Sequence, residues 1–209
     1  FSKLYQIANK LLERRVLNGA ISISLPEVKI RVDKDNSIDI TPIHGVQSRN
    51  VVSEFMLLAG ESASLFAIKN TIPIPFASQQ QPDAKGLPET DLSSMYKWRR
   101  KFKRGEIKYD PEPHAGLGFE SYTRTTSPLR RYSDLVVNQQ IRNFILNREI
   151  QSQDEIFLKV SKAQESAGIN TRAERASNLF WKLTYLSKNI DKLFIGIYVE
   201  KKEKSSGIF

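Results

Sequence analysis

The stretch SYTRTTSPLRRYSD, residues 121–134, is the part of this sequence from which the fold is read most directly. The Ser127 hydroxyl suits a helix N-cap, and Pro128 suits the first helical position, where its missing N–H costs nothing. Apolar residues then recur at helical spacing: Leu129, Tyr132, Leu135, Val136, Ile141, Phe144 and Ile145. The pattern predicts a helix from Pro128 to about Asn147 with one apolar face.

Three arginines surround the predicted start of this helix, Arg124 in the preceding loop and Arg130 and Arg131 in the first turn. Cations are unfavourable at the positive end of a helix dipole, so two arginines there need another reason. Phosphate binding is one reason, because a guanidinium matches phosphate oxygens bidentately. The alternative is that Arg130 and Arg131 are solvated or pair with acids such as Asp134, and the residues alone leave both open.

The central stretch resembles the YTxxTSPIRRYxDL signature of the ribonuclease II / RNB exoribonucleases. Two further stretches match in the family's order. Residues 49–59 (RNVVSEFMLLA) resemble its ExMLxAN helix, and residues 173–186, with AER followed by FWK and YL, resemble a downstream element. The resemblance covers nearly the whole chain and identifies it as the C-terminal part of an RNB domain.

This chain also departs from the bacterial pattern of the family. The Arg-x-His element that the family usually carries near residues 79–83 is absent, which makes the chain a diverged member. Leu129 and Asn138 stand where bacterial members have isoleucine and histidine, and in these two features the chain is more similar to the fungal mitochondrial degradosome exoribonuclease, which works with an RNA helicase. The resemblance therefore implies a helicase partner and the mitochondrial matrix, with the cytoplasm as the alternative.

The family resemblance implies a 3′→5′ exoribonuclease that hydrolyses single-stranded RNA to nucleoside 5′-monophosphates. Arg130 is then the expected catalytic residue, which holds the scissile phosphate and neutralises developing charge. The expected RNA-binding residues are Glu54, Arg124, Thr126, Ser127, Arg131 and Glu174. Glu54 matches a glutamate that contacts the ribose; its alternative is a surface position or a pair with Arg49. The alternative for Glu174 is an ordinary ion pair.

No tight carboxylate cluster is visible in the sequence, so no metal ligand is expected in this chain. The resemblance implies Mg²⁺ held by aspartates N-terminal to Phe1. We interpret the chain as an internal fragment that is inactive as a nuclease by itself. Two other classes stay open: a catalytically inactive RNB-type RNA-binding protein, and a scaffold whose basic surface docks a protein.

Composition is consistent with an RNA partner. The formal charge of +9 and pI near 9.7 favour a polyanion. No apolar run reaches the length needed to cross a bilayer, so no membrane partner is expected. The basic run of residues 97–104 contains Trp98 and Phe102, which suits single-stranded RNA. The four-residue spacing of the two aromatics favours the alternative, in which both are buried in the core by a basic helix.

The remaining patterns predict an α+β fold of hairpin strands and long helices. A first helix should end at Gly19, and residues 21–25 should form a strand before a hairpin of residues 28–32 and 38–40. A strongly apolar helix, buried on more than one side, should cover residues 48–69.

The C-terminal part should begin a helix at the capping box of Ser152 and Glu155 and break it at Gly168. A further helix should turn Ala173, Ala176, Leu179, Phe180, Leu183 and Leu186 inward. Strands are expected over residues 193–200 and from Gly207. By resemblance, residues 1–190 belong to the RNB domain and residues 191–209 begin an S1-type OB barrel.

Overall fold

The computed structural model describes residues 1–43, 45–83, 89, 91–202 and 205–208, and these form an α+β chain. The helices are α1 (Ser2–Leu17), α2 (Gln47–Lys69), α3 (Leu92–Lys101), α4 (Tyr132–Ile145) and α5 (Gln153–Lys188). The strands are β1 (Glu27–Val32), β2 (Ile38–Ile43), β3 (Phe76–Ser78), β4 (Glu106–Lys108), β5 (Tyr198–Lys202) and β6 (Ser205–Ile208). They pair antiparallel as β1–β2, β3–β4 and β5–β6. The described residues divide into two compact units, one of residues 1–22, 45–85 and 101–165, the other of residues 23–44, 86–100 and 166–209.

Helix α4 contributes to two apolar clusters of the first unit, because its adjacent residues Val136 and Val137 pack into different clusters. Val137 packs with Ala67, Ile72, Ile74 and Phe76, and Ile141 and Phe144 extend this cluster. Val136 packs with Ile156 and Val160 of α5, and Ile107 and Tyr109 lie against them. The segment that leads into α4 is therefore anchored at its C-terminal end by a buried helix.

The end of α1 confirms the predicted stop at Gly19. Gly19 has φ of +88°, its N–H donates to the Val16 carbonyl, and the Ala20 N–H donates to the Arg15 carbonyl. This is a Schellman motif, in which a left-handed residue satisfies the last helical carbonyls. Glycine is favoured here because it adopts that φ without steric cost.

The predicted α2 is confirmed, and so is its burial on more than one side. The buried residues are Val51, Glu54, Gly60, Ser64 and Ala67, and at 3.6 residues per turn they span an arc of about 200° around the helix. Val52, Leu65 and Ile68 are exposed. The buried positions are mostly small, so α2 packs through close approach of its backbone rather than through large side chains.

By length and composition alone, α2 could cross a membrane, contrary to the expectation that no segment reaches that length. Its two carboxylates nevertheless have protein partners. Arg15 pairs with Glu54, and Arg14 pairs with Glu61. These pairs fit a helix packed within a protein.

Helix α4 begins at Tyr132, so the predicted start at Pro128 is wrong. Residues 128–130 form a turn instead, because the Ser127 carbonyl accepts the N–H groups of both Arg130 and Arg131. Leu129 at the tip of this turn is fully exposed and does not lie on the apolar face. The Ser127 hydroxyl caps no helix; its backbone N–H donates to the Asp134 carboxylate at 2.9 Å.

In the second unit, the predicted β1–β2 hairpin is confirmed. Its turn closes when the Asp33 N–H donates to the Ser37 carbonyl, and Asn36 adopts φ of +59°. The predicted strand over residues 21–25 is wrong. Those residues alternate between half-buried and exposed but pair with no strand among the described residues.

The predicted capping box is confirmed, because the Ser152 N–H and hydroxyl both donate to Glu155. The predicted break at Gly168 is wrong, since α5 is continuous from Gln153 to Lys188. One glycine costs a helix only about 1 kcal/mol. The expectation that the later apolar side chains of α5 face inward is also wrong. Ala173 and Ala176 are exposed, and the larger side chains are about half exposed: Leu179, Phe180, Leu183 and Leu186.

The last hairpin is confirmed only in part. Strand β5 starts at Tyr198 rather than at Leu193, and it pairs with β6 with Tyr198 opposite Ile208. Leu193 and Ile195 are fully exposed and precede the strand.

Candidate nucleic-acid site

The arginine-bearing loop, residues 114–131, lies in the first unit between β4 and α4. Backbone hydrogen bonds of His114 hold its first half. The His114 N–H donates to the Phe119 carbonyl at 2.8 Å, and the His114 carbonyl accepts from Leu117 and Gly118. A 3-10 turn over Ala115–Leu117 results. Gly118 follows with φ of +68°, and an added methyl there would lie 2.5 Å from the Arg15 carbonyl. Glycine is thus required by both conformation and space.

The middle of the loop is fixed to β3 and α2. The Ala77 N–H donates to the Tyr122 carbonyl at 2.8 Å, and the buried Thr123 hydroxyl donates to the Pro75 carbonyl at 2.6 Å. On the other side, a methyl group at Gly60 would overlap the Tyr122 ring and the Thr123 carbonyl. The backbone just before Arg124 is therefore closely packed between two elements.

The end of the loop is fixed by α4. The fully buried Asp134 accepts hydrogen bonds from the Ser127 N–H and from the Ser133 hydroxyl. One turn later, the Asn138 amide donates to the Thr125 carbonyl at 2.8 Å, to the Thr125 hydroxyl and to the Asp134 carbonyl. Asn138 thus holds residues on both sides of the turn that carries Arg130.

The side chains of the three arginines form none of the hydrogen bonds that hold the loop. Arg124 and Arg130 are exposed and Arg131 is half-buried. Within the described residues, none of the three forms an ion pair with a carboxylate. Asp134 is engaged by Ser127 and Ser133, so the alternative in which it neutralises Arg130 or Arg131 is not what the structure shows. Three guanidinium groups on a fixed loop suit a phosphate.

The other predicted residues lie in different surroundings. Thr126 is exposed in the same loop, and Ser127 at its turn is half-buried. Glu54 is buried and accepts from Nε and Nη2 of Arg15, so neither Arg49 nor the open surface is its environment. Glu174 lies on α5 in the second unit, where it is exposed. Trp98 is buried on α3, which supports the core interpretation of that aromatic.

His114, which no sequence pattern singles out, has the most altered electrostatic environment of the loop. Its ring meets Tyr122 edge to face at 6.0 Å between centroids. Burial, with a contribution from the Arg124 charge, lowers the pKa of His114 to about 4. Burial raises the pKa of Tyr122. His114 is therefore neutral at pH 7, and local sequence does not reveal this, because the burial of its ring depends on how the folded loop brings Tyr122 and Arg124 to it.

A resident metal would need a set of hard oxygen ligands. Among the described residues, no three histidine, cysteine, aspartate or glutamate side chains come together to hold an ion. The described residues therefore do not offer the carboxylate set that a resident magnesium ion needs.

The family model described as "RNB domain" matches residues 1–97 and 88–147. A ribonuclease of Synechocystis is 32% identical over 98% of this chain, which covers 32% of that relative. The mitochondrial exoribonuclease II of Schizosaccharomyces pombe is 27% identical over 79% of this chain and 18% of its own length. The chain thus spans a third or less of these two relatives.

Solved structures resemble this chain in fold. RNase R of Mycoplasma genitalium, bound to ribose-methylated single-stranded RNA, matches with a TM-score of 0.82 and 19% identity over 98% of this chain and 39% of its own. The Dss1 exoribonuclease of Candida glabrata matches with a TM-score of 0.84 and 21% identity over 99% of this chain and 29% of its own. Yeast Ssd1, described as a pseudonuclease, matches with a TM-score of 0.57 and 15% identity over 78% of this chain and 25% of its own.

Proposed function

The chain belongs to the RNB domain family, and from that premise we propose that it supplies the phosphate- and ribose-contacting side of a 3′→5′ exoribonuclease acting on single-stranded RNA. Ribonucleases among its relatives support nuclease activity in general. The direction, the release of nucleoside 5′-monophosphates and the role of this segment belong to the proposal. A solved RNase R with bound single-stranded RNA supports the substrate class.

One observation carries the proposal: Arg124, Arg130 and Arg131 have no carboxylate partner within the described residues, while the loop that presents them is anchored by buried hydrogen bonds. Cations that are merely solvated do not need such an anchored loop. Preorganised donors stabilise charge that develops in a transition state without reorganising at the moment of reaction. The anchored arginines therefore suit binding of a phosphodiester and stabilisation of the charge that develops on it.

In the proposed site, Arg130 holds the scissile phosphate and stabilises its developing charge. Arg124, Thr126, Ser127 and Arg131 bind the terminal nucleotide around it. Glu54 accepts a hydrogen bond from a ribose hydroxyl, which separates RNA from DNA. Glu174 contributes to the RNA site in the same proposal.

Further parts of the proposal concern the whole protein. Mg²⁺ is the expected cofactor, with ligands outside these 209 residues, and it would supply Lewis-acid stabilisation of the phosphate. Residues 191–209 would begin an S1-type barrel that grips single strands by charge and stacking. Several relatives are mitochondrial exoribonucleases, which supports a mitochondrial location and, with it, an RNA helicase partner.

The test uses the full-length protein with 5′-labelled single-stranded RNA, Mg²⁺, gel analysis and nucleotide identification. Stepwise shortening from the 3′ end with release of nucleoside 5′-monophosphates is expected. Internal cuts, or equal degradation of single-stranded DNA, contradict the assignment. No degradation, combined with RNA affinity that falls steeply with salt, favours the inactive RNA-binding alternative. No degradation and no RNA affinity favours the protein scaffold.

A further inference from the structure

Arg15, in the last turn of α1, makes a set of contacts that its neighbour Arg14 does not. Its Nε and Nη2 both donate to the Glu54 carboxylate, and its Nη1 donates to the Leu117 carbonyl at 3.2 Å. The side chains of Arg15 and Glu54 are each 9% exposed. The Arg14 side chain pairs with Glu61 and is 45% exposed. One arginine of the two is thus built into the interior.

The same guanidinium supports the arginine-bearing loop at its first turn. It binds the Leu117 carbonyl and lies 5.9 Å from the centre of the Phe119 ring, within the range of a cation–π contact. Between them, Gly118 lies against the backbone carbonyl of Arg15 itself. Arg15 therefore fixes the position at which the loop turns back toward Tyr122.

These contacts close into a ring that returns to α2. Phe119 stacks on Tyr122 with ring centroids 5.6 Å apart and planes inclined by 13°. Tyr122 packs on Gly60, which lies on the same helix as Glu54. The path from Arg15 through Glu54, Gly60, Tyr122 and Phe119 returns to Arg15. A displacement of the guanidinium would move Glu54 and the loop together.

We propose that Arg15 is a positioning residue for the RNA site, which orients Glu54 toward the ribose and sets the loop that leads to Arg124 and Arg130. This inference rests on the proposed function. Arg15 reaches RNA only through these partners, so it is not a catalytic residue.

The chemistry of both groups fits this role. An ionised carboxylate has about four lone-pair sites, so the two hydrogen bonds from Arg15 leave acceptor capacity for a ribose hydroxyl. Arginine presents its N–H groups in a rigid fork and can bind Glu54 and Leu117 at once. Lysine keeps the charge but loses the fork, so Arg15→Lys should keep a positive charge beside Glu54 while losing both the two-point contact that orients Glu54 and the bond to the loop.

The experiment compares Arg15→Lys with the matched control Arg14→Lys in the full-length protein. Each is assayed on an RNA oligonucleotide and on the same sequence with 2′-deoxyribose in its terminal nucleotides. Arg15→Lys is expected to reduce kcat on RNA about 10²-fold, the scale of a small misplacement of reacting groups. It should also reduce the preference for ribose, whereas Arg14→Lys should leave both quantities essentially unchanged.

A third variant, Glu54→Gln, separates this inference from the proposed function. Loss of ribose preference in Glu54→Gln and Arg15→Lys, with Arg14→Lys unchanged, supports the positioning role. Loss in Glu54→Gln alone overturns it and leaves the proposed function standing. Retention of the preference in Glu54→Gln overturns the ribose assignment and the Arg15 role with it.

Stability and binding measurements exclude simpler explanations. Thermal unfolding of Arg15→Lys should remain cooperative, and a rate loss matched by a loss of folded protein would overturn the positioning role. The dissociation constants of both oligonucleotides are measured for every variant. If the wild-type protein cleaves neither oligonucleotide, the nuclease proposal fails. The ratio of the two dissociation constants, compared among Arg15→Lys, Arg14→Lys and Glu54→Gln, then tests the positioning role of Arg15 on binding alone.

Discussion

The loop of residues 114–131 lies within the match to the RNB family model and the helical stretch of residues 166–188 lies outside it, and the two are built very differently. Buried polar groups hold the loop, among them Thr123 and Asp134, which are fully buried and hydrogen-bonded. In the helical stretch, all of which the structure describes, no side chain is buried. The loop thus defines positions for Arg124 and Arg130 through its own contacts, whereas the helix defines only the face on which Glu174 lies.

Glycine substitutions should produce the largest difference between the two regions. Gly60→Ala places a methyl group against Tyr122 and the Thr123 carbonyl, and overpacking costs typically about 1–3 kcal/mol. Gly168→Ala meets nothing within 4 Å in the middle of α5 and should gain up to about 1 kcal/mol of helix propensity. Thermal unfolding followed by circular dichroism should therefore shift in opposite directions. Equal shifts would mean that the close packing at Gly60 does not exist.

An amide substitution should show a smaller effect confined to the loop. Asn138→Ala removes hydrogen bonds to Thr125 and the Asp134 carbonyl, at about 1 kcal/mol net for an exposed group. The matched change Asn143→Ala removes one bond to the Glu149 carbonyl at the far end of α4. Because Asn138 holds the arginine-bearing loop and Asn143 does not, only Asn138→Ala should also lower affinity for RNA. Chemical denaturation and filter binding on both variants measure this, and equal RNA affinity would contradict the role of Asn138 in holding the loop.

The sequence anticipated this contrast only partly, for physical reasons. Local signals were reliable where one short segment makes its own hydrogen bonds, as at Gly19 and the capping box of Ser152. The start of α4 was misplaced because Ser127 and Pro128 fit a helix start equally well locally. The outcome is decided by Asp134, which takes the Ser127 N–H from seven residues away.

Local sequence patterns do not predict contacts between residues that are far apart in the chain. Arg15 and Glu54 are 39 residues apart, and nothing in either neighbourhood distinguishes Arg15 from Arg14. Leu179 and Leu183 show helical spacing, but spacing alone does not determine whether anything covers them, and the structure leaves both about half exposed.

His114 provides a pH test of loop burial. Its pKa is about 4 in the folded chain and about 6.5 when unfolded, because burial disfavours the charged imidazolium. As pH falls from 6.5 toward 4, the unfolded state binds a proton first, so stability is highest above pH 6.5 and declines below it. Urea unfolding at about pH 7 and about pH 5.5, on either side of the unfolded-state pKa, should show a smaller loss of stability in His114→Gln than in the wild type. Identical losses would mean that His114 is not buried.

The smallest effect is expected at Glu174. Its side chain is exposed on α5, so Glu174→Gln should change the free energy of unfolding by less than about 0.5 kcal/mol. Denaturant midpoints of the wild type and the variant check this. A larger loss would show that Glu174 is fixed by contacts, as the residues of the loop are.

Arg130→Lys tests the central claim most directly, with Arg142→Lys on the exposed surface of α4 as the matched control. In the full-length protein, single-turnover cleavage of RNA and equilibrium RNA binding are measured for both. We expect Arg130→Lys to slow cleavage about 10²-fold or more while affinity changes little, because lysine lacks the fork that stabilises transition-state charge. Arg142→Lys should change neither quantity. Equal losses of rate and affinity in Arg130→Lys would contradict the claim and reduce Arg130 to a substrate anchor.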